Sequence, residues 1–243
     1  MSTVVISGAD RNIGLEMCRE FLRRGWTVYG GKYVGELTLM EQLQSEYPRQ
    51  MEIVPLDCSS ADSVCAAAER VREKAGSLDM LVHNAAGFGG RGASDIKGEF
   101  DFTSFESAFN INALGAIRLV QAFLPLMESG KKRLCFTSSE AGVVSVSHRT
   151  GISGYGMSKT ALNMALRLMF NRLSPLGYSF RLYHPGWVRS PKIERDGQAL
   201  ERMHGGKFEP WETAQSAVPQ FIEDRDWEDR MVLIDNEGAA WPF

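Results

Sequence analysis

The residues best suited to proton transfer are a tyrosine and a lysine in the stretch Ser153-Gly-Tyr155-Gly-Met-Ser-Lys159. They are four positions apart, so on a helix their side chains lie one turn apart on the same face. A tyrosine side chain has a pKa of about 10, and a nearby ammonium group stabilises the phenolate and so lowers the pKa of the tyrosine. The spacing therefore predicts a proton donor and acceptor. By itself it fits equally a surface pair on an ordinary amphipathic helix.

A second candidate site is the glycine turn Gly8-Ala-Asp-Arg11-Asn12-Ile13-Gly14. It follows a short apolar strand predicted at 3–7 and precedes a helix predicted at 15–24. Such a turn lets backbone N–H groups and the helix N-terminus hold a pyrophosphate. The spacing departs from G-x-G-x-x-G, because Asn12 stands where a middle glycine is expected. Without further support, the feature is only a turn between a strand and a helix.

The residues after the second predicted strand bear on the choice of dinucleotide. In dinucleotide-binding folds an acidic residue about 20 positions beyond the glycine turn binds the ribose 2′-hydroxyl and selects NAD. Here Lys32 and Tyr33 occupy that neighbourhood, and Arg11 lies within the turn itself. Two cations favour a 2′-phosphate, so the sequence predicts NADP(H) over NAD(H). The alternatives are solvated surface charges, or a ribose contact from Glu36 that would favour NAD.

Composition limits the class of protein. The chain has 243 residues with 44% hydrophobic content, enough to bury one full core, and we expect a single domain over 1–243. A net charge of −3 argues against a nucleic-acid surface. No run of apolar residues has the length of a membrane span, and no secretory signal is evident. Neither the cysteines nor the histidines have metal-ligand spacing, which favours free thiols in a reducing cytoplasm and no metal site.

Strands and helices are predicted to alternate along the chain. The predicted strands cover 3–7, 26–31, 51–56, 78–83, 133–138, 179–184 and 231–234. This alternation predicts an α/β fold, a Rossmann-like, doubly wound, seven-stranded and mainly parallel sheet with helices on both faces. Ligands in such sheets bind at the carboxyl ends of the strands. The groups predicted at those ends are the glycine turn, Asp57 with Cys58, Asn84, Ser139, and Pro185 with Gly186.

Two further segments carry specific expectations. A long helix is predicted from a Thr103 cap to Met127, with Asn112 in its middle. An asparagine at such a position is usually solvent-exposed, and its alternative use is to open the helix around a water. The polar stretch 191–208 is interpreted as a substrate loop.

In this order and spacing, the residues resemble the short-chain dehydrogenase/reductase family over almost the whole chain. The family's Thr-Gly-x-x-x-Gly-x-Gly turn is similar to the stretch from Ser7 to Gly14, and its Asn-Asn-Ala-Gly segment to His83-Asn84-Ala85-Ala86. Its Asn, Ser, Tyr and Lys match Asn112, Ser139, Tyr155 and Lys159. The segment Pro185-Gly-Trp-Val188-Arg-Ser190 is similar to the one that closes over the nicotinamide. More narrowly, His184-Pro-Gly-Trp-Val-Arg and Trp241 look like the sniffer and C-factor type of carbonyl reductase.

The resemblance implies reversible hydride transfer between NADP(H) and a small carbonyl or alcohol substrate. Tyr155 would act as general acid and base, and Ser139 would hydrogen-bond the substrate oxygen. Lys159 would lower the Tyr155 pKa and bind the nicotinamide ribose, and Asn112 would hold a water for reprotonation. The implied cofactor-binding residues are Gly8, Arg11, Asn12, Ile13, Gly14, Lys32, Asp57, Cys58, Asn84, Ala85, Ala86, Tyr155, Lys159, Pro185, Gly186, Val188 and Ser190. A cytoplasmic homodimer or homotetramer without nucleic-acid or membrane partners is also implied.

Two other functions remain open at this point. One is a dinucleotide-binding regulator that senses NADPH without significant turnover, against which the complete Asn-Ser-Tyr-Lys set counts. The other is sugar-nucleotide epimerisation, which is disfavoured because the sequence after Ser190 is too short for a sizeable substrate domain.

Overall fold

The fold is built around one eight-stranded sheet. The computed structural model describes residues 1–33, 35, 38–88, 95–190, 193–195, 198–201, 205–225 and 228–242. The sheet strands are β1 Thr3–Ser7, β2 Thr27–Lys32, β3 Met51–Pro55, β4 Met80–His83, β5 Arg133–Thr137, β6 Ser179–His184, β9 Leu233–Asp235 and β10 Ala240–Trp241. A separate antiparallel hairpin consists of β7 Ile193–Arg195 and β8 Gln198–Glu201.

The strand order is β10-β9-β6-β5-β4-β1-β2-β3. Every neighbouring pair is parallel except β9 with β10. The predicted α/β class and all seven predicted strands are confirmed; the eighth strand is the short antiparallel edge strand β10. From β1 the chain first adds strands on one side, β2 and β3, and then on the other side, beginning with β4. At this change of direction a crevice opens at the carboxyl ends of β1 and β4, where such sheets bind ligands.

Helices cover both faces of the sheet. They are α1 Asn12–Arg23, α2 Leu39–Glu46, α3 Ala61–Ala75, α4 Phe102–Phe109, α5 Gly115–Phe123, α6 Gly154–Leu173 and α7 Pro210–Ile222. One apolar core includes Leu119, Phe123 and Leu166 from α5 and α6, and the other includes Phe21 and Phe221 from α1 and α7. Two cores on opposite faces are the expected consequence of strands that are buried on both sides.

The helical run Phe102–Met127 departs from the expectations in two ways. Its cap is Asp101, whose carboxylate accepts the N–H of Ser104 at 3.1 Å, and not Thr103. By length and mean hydropathy (1.2) this run could also cross a membrane. The sequence was expected to contain no apolar run of that length. Its residues Ala116, Leu119 and Phe123 lie in the core against the sheet, which is typical of a core helix.

Candidate active site

The glycine turn is shaped by contacts that exclude a side chain. Gly8 has a φ of +62°, and a Cβ there would lie 2.7 Å from the Cα of Ala85. A Cβ on Gly14 would lie 2.0 Å from the carbonyl oxygen of Gly8. Ala9 N donates to the carbonyl of Gly31 at 2.9 Å, which holds the turn against the end of β2. The turn therefore presents its backbone and the N-terminus of α1 at the crevice, a geometry that suits a pyrophosphate.

Asn12 adopts a left-handed conformation, with a φ of +49°. Asparagine tolerates this region better than most residues, so it can stand in for the expected glycine. Its Nδ2 donates to Oγ of Ser190 at 3.1 Å, which joins the glycine turn to the segment after β6. Gly186 in that segment has a φ of +72°. Pro185, Gly186 and Val188 belong to the same segment, which Ser190 holds against the turn.

Both predicted phosphate-binding cations have carboxylates beside them. Nζ of Lys32 lies 2.6 Å from Oε1 of Glu41, and Arg11 lies 3.6 Å from Asp10. The ammonium of Lys32 holds the pKa of Glu41 below its usual range, although partial burial opposes the shift. The contact between Glu41 and Lys32 was not predicted, because the two residues are nine positions apart and belong to different elements. Glu36 lies outside the described residues.

The remaining predicted cofactor residues line the same edge of the sheet. Oδ1 of Asp57 accepts the N–H and the hydroxyl of Ser59 at 2.8 and 2.7 Å. Cys58 is buried, and burial raises the pKa of its thiol to about 12. Asn84 Nδ2 donates to the carbonyl of Gly8 at 3.1 Å. Ala85 packs against Gly8, and Ala86 is exposed.

Tyr155 and Lys159 lie on the first turns of α6. Ser153 caps this helix by accepting the N–H of Gly156 at 3.3 Å, and a serine in that position is a common helix start. The ring of Phe88 stacks on Tyr155 with centroids 5.3 Å apart. Burial raises the pKa of Tyr155 to about 12, opposed by hydrogen bonding to Ser139.

Lys159 is buried, and its Nζ donates to the carbonyl of Thr137 at 2.7 Å. Nζ lies 5.6 Å from the ring centroid of Tyr155. Burial lowers the pKa of Lys159 to about 7, because the charged ammonium is poorly solvated there. The pKa of Tyr155 is thus raised rather than lowered in this structure, and its depression by Lys159 stays a prediction for the nucleotide complex.

Ser139 follows β5 and is buried next to Tyr155. Its hydroxyl donates to Oε2 of Glu140 at 2.7 Å and accepts the N–H of Ala141 at 3.1 Å. Glu140 also pairs with Arg149, and its Oε2 lies 4.0 Å from Nε2 of His184. Sequence reasoning missed Glu140, although it directly follows the predicted serine.

Asn112 lies in a π-helical turn, Asn110–Leu114, and is fully buried. Its Oδ1 accepts the N–H of Gly87 at 2.8 Å, and its Nδ2 donates to the Gly87 carbonyl and to Oγ of Ser158, both at 2.8 Å. The expectation of solvent exposure is wrong, since the protein itself satisfies this amide. The widened turn fits the alternative, an asparagine that opens the helix.

His83 connects the glycine turn to this π-helical turn. Ser7 Oγ accepts the N–H groups of Asn84 and Ala85, so its own proton is left for Nδ1 of His83 at 3.1 Å. Nε2 therefore carries the ring proton and donates to the carbonyl of Asn112 at 3.2 Å. Burial, with the charge of Lys159, lowers the pKa of His83 to about 3. The ring is a neutral link between β1, β4 and the π-helical turn.

The structure thus brings together a phenol, an amine, a serine hydroxyl and a glycine turn at one edge of the sheet. This arrangement can bind a dinucleotide and exchange a proton with a nearby oxygen. The predicted substrate loop, 191–208, is described only at 193–195, 198–201 and 205–208, and residues 191, 192, 196, 197 and 202–204 lie outside the described residues.

Comparison with known proteins gives a match over most of the chain. A family model described as short chain dehydrogenase matches residues 2–200. The C-signal protein of Myxococcus xanthus is 38% identical over 116 residues, which are 47% of this chain and 68% of that protein.

Solved structures share the fold along the whole chain. A short-chain dehydrogenase/reductase from Burkholderia multivorans with bound NADP is 26% identical, covers 98% of both chains and has a TM-score of 0.81. The carbonyl reductase Sniffer of D. melanogaster covers 100% of both chains with a TM-score of 0.85 and 17% identity, a likeness of fold alone. The resemblance predicted from the sequence is confirmed.

Proposed function

This chain belongs to the short-chain dehydrogenase/reductase family, and we propose that it interconverts a carbonyl and an alcohol, with NADP(H) as the preferred cofactor. It is an oxidoreductase by that membership. The observation that carries the finer proposal is the juxtaposition of Tyr155, Ser139 and Lys159 beside the glycine turn. Tyr155 is linked to Ser139 by hydrogen bonding, and Lys159 lies beneath the ring of Tyr155.

The residues present fit a dinucleotide. Gly8 and Gly14 allow the turn to pack closely where a Cβ would collide with backbone, and α1 begins where a pyrophosphate would lie. Lys32 and Arg11 would hold the 2′-phosphate, and the NADP in the structure of the Burkholderia protein supports this choice. When bound, the reduced nicotinamide supplies the hydride.

The side chains of this protein manage the substrate oxygen. In reduction, Tyr155 would donate its proton to the oxygen, and Ser139 would stabilise the negative charge that develops there. Lys159 would turn from Thr137 toward the ribose and the phenol, and its ammonium would bring the pKa of Tyr155 down. Asn112, held by Gly87 and Ser158, keeps the π-helical turn in place, and a water-holding role for it stays a prediction.

Isotope transfer tests this function directly. The purified protein is incubated with NADPH deuterated at the transferable C4 position and with a panel of aldehydes and ketones. We expect one deuterium on the former carbonyl carbon of the alcohol product and equal amounts of NADPH consumed and alcohol formed. Consumption of NADPH without deuterium in the alcohol would contradict the proposal.

A second candidate, an NADPH-binding regulator without significant turnover, is favoured by one observation. The hydroxyl of Ser139 donates to Glu140, so its proton is already engaged by a protein group. The same isotope experiment separates the two functions, since a regulator would bind NADPH and form no labelled alcohol.

Three further expectations belong to this proposal. We propose that 1–243 acts as one domain with 191–208 as its substrate loop. We also propose a cytoplasmic location and a homodimer or homotetramer. Sedimentation measures the oligomeric state.

A further inference from the structure

Glu140 controls the direction of the Ser139 hydroxyl. Oε2 of Glu140 lies 2.7 Å from Oγ of Ser139, and a serine hydroxyl has only one proton to donate. Ser139 Oγ also accepts the N–H of Ala141 at 3.1 Å. The proton of Ser139 points to the carboxylate in this arrangement, so the hydroxyl must rotate before it can donate to Tyr155 or to a substrate oxygen.

Glu140 is held in its charged, carboxylate form beside Ser139. Arg149 pairs with Oε1, while Oε2 also accepts the N–H of Ala141 at 2.7 Å. Hydrogen bonds from Ser139 and Arg149 keep the pKa of Glu140 below its usual range, although burial opposes them. The side chain is 28% exposed, so it remains accessible to a bound molecule.

Substrate binding leaves Glu140 short of one donor. When Ser139 turns its proton to the substrate oxygen, Oε2 loses a charge-assisted hydrogen bond. Oε2 keeps the N–H of Ala141, but the loss of the second hydrogen bond from a partly buried carboxylate oxygen is costly. A hydroxyl or ammonium group on the carbon next to the carbonyl lies within hydrogen-bonding distance of the carbonyl oxygen, so it can reach Oε2 and replace the lost donor.

We propose, building on the carbonyl-reductase function above, that Glu140 is a specificity-determining residue. It selects carbonyl compounds that carry a hydroxyl or ammonium group on the adjacent carbon. It also selects against 2-oxo acids, because their carboxylate would face the carboxylate of Glu140.

The test compares two matched substrates, hydroxyacetone and methoxyacetone, which differ in whether the neighbouring oxygen carries a proton. With NADPH, we expect the wild-type kcat/KM to favour hydroxyacetone by about tenfold or more, because a site built to hydrogen-bond a hydroxyl rejects the analogue that lacks its proton. Pyruvate should be the poorest of the three.

The variant Glu140→Gln keeps the shape of the side chain but can donate to Ser139, which frees the Ser139 proton. We expect the ratio of the two kcat/KM values to fall to about twofold, mainly because methoxyacetone improves. Glu69→Gln is the control, since Glu69 is an exposed carboxylate paired with Arg72 on α3, and its ratio should match the wild type.

The outcomes separate this inference from the proposed function. If the wild type reduces no carbonyl compound, the proposed function fails and this inference fails with it. If the wild type reduces both substrates equally well, or Glu140→Gln keeps the wild-type ratio, only this inference is overturned. If Glu140→Gln does not fold, the ratio of the wild-type kcat/KM values for hydroxyacetone and methoxyacetone tests this inference by itself.

Discussion

The side chains of Asn12 and Ser190 join the glycine turn to the segment after β6 through one hydrogen bond, 3.1 Å from Nδ2 to Oγ. The two residues are 178 positions apart in the chain. Asn12 makes this contact from a backbone conformation with a φ of +49°. One residue thus replaces the glycine that the motif would place here and holds the segment after β6 against the turn.

The first prediction separates these two properties of Asn12. Asn12→Gly keeps easy access to the left-handed conformation but removes the side chain with its hydrogen bond to Ser190, which costs about 1 kcal/mol of unfolding free energy. Asn12→Ala should cost about 1 kcal/mol more, because alanine disfavours the left-handed conformation. Denaturant unfolding of both variants, with Ser190→Ala for comparison, measures the difference. Equal stability of the alanine and glycine variants would show that the backbone conformation carries no cost.

The second prediction concerns the choice of cofactor. Glu41 lies 2.6 Å from Lys32 and would compete with a 2′-phosphate for its ammonium. Glu41→Gln should therefore increase the preference for NADPH over NADH by about fivefold, and Lys32→Met should reduce it by about tenfold. Nicotinamide fluorescence titrations give both dissociation constants. Glu46→Gln is the control, because Glu46 is on the same helix and pairs with Arg19 instead. A Lys32→Met variant with wild-type preference would rule Lys32 out as the phosphate contact.

The third prediction uses the neighbouring serines. Ser139→Ala should lower kcat by about a hundredfold, as expected for the loss of a donor to a developing oxyanion. Ser138 is the matched control: its Oγ donates to Oδ1 of Asn163 at 2.6 Å and does not face Tyr155. Ser138→Ala should cost about 1 kcal/mol of stability and leave kcat within about twofold. The opposite pattern would mean that the wrong serine has been assigned.

The fourth prediction follows from the buried, neutral His83. Its pKa is lowered to about 3 in the folded protein, whereas a histidine in the unfolded chain titrates near 6.5. The unfolded state therefore takes up the proton first, so the stability from His83 is complete above about pH 6.5 and is lost as the pH falls. Between about pH 7 and 5 the loss should be about 2 kcal/mol.

Denaturant unfolding at both pH values, in the wild type and in His83→Asn, measures this loss. The variant should lack the extra pH dependence. His148→Asn is the control, because His148 is exposed, and it should behave as the wild type. A variant with unchanged pH dependence would show that another group is responsible.

Local features of the fold could be predicted from the sequence, whereas features that depend on long-range contacts could not. The seven parallel strands could be predicted because each is a short apolar run bounded by turn residues, and Ser153 marks the start of α6 in the same local way. The edge strand Ala240–Trp241 was missed, because two residues carry no alternating pattern.

The candidate site shows the same division. The glycine turn and the residues Ser139, Tyr155 and Lys159 are local motifs, and the structure places all of them at one edge of the sheet. The contacts of Glu41 with Lys32 and of His83 with the Asn112 carbonyl arise only when separate elements pack together. For Asn112 the sequence left open solvent exposure or an opened helix, because it does not show that Gly87 and Ser158 satisfy the amide.

The most direct test of the account is the turnover of Tyr155→Phe, because the proposed chemistry depends on that phenol. The rate of NADPH oxidation with the best carbonyl substrate is measured for the wild type, for Tyr155→Phe and for the control Tyr178→Phe, whose hydroxyl bonds only the carbonyl of Leu124 among the described contacts. We predict a loss of about a thousandfold in kcat for Tyr155→Phe, with the NADPH dissociation constant unchanged within about threefold, and a wild-type rate for the control. A Tyr155→Phe variant that turns over at the wild-type rate would contradict the account.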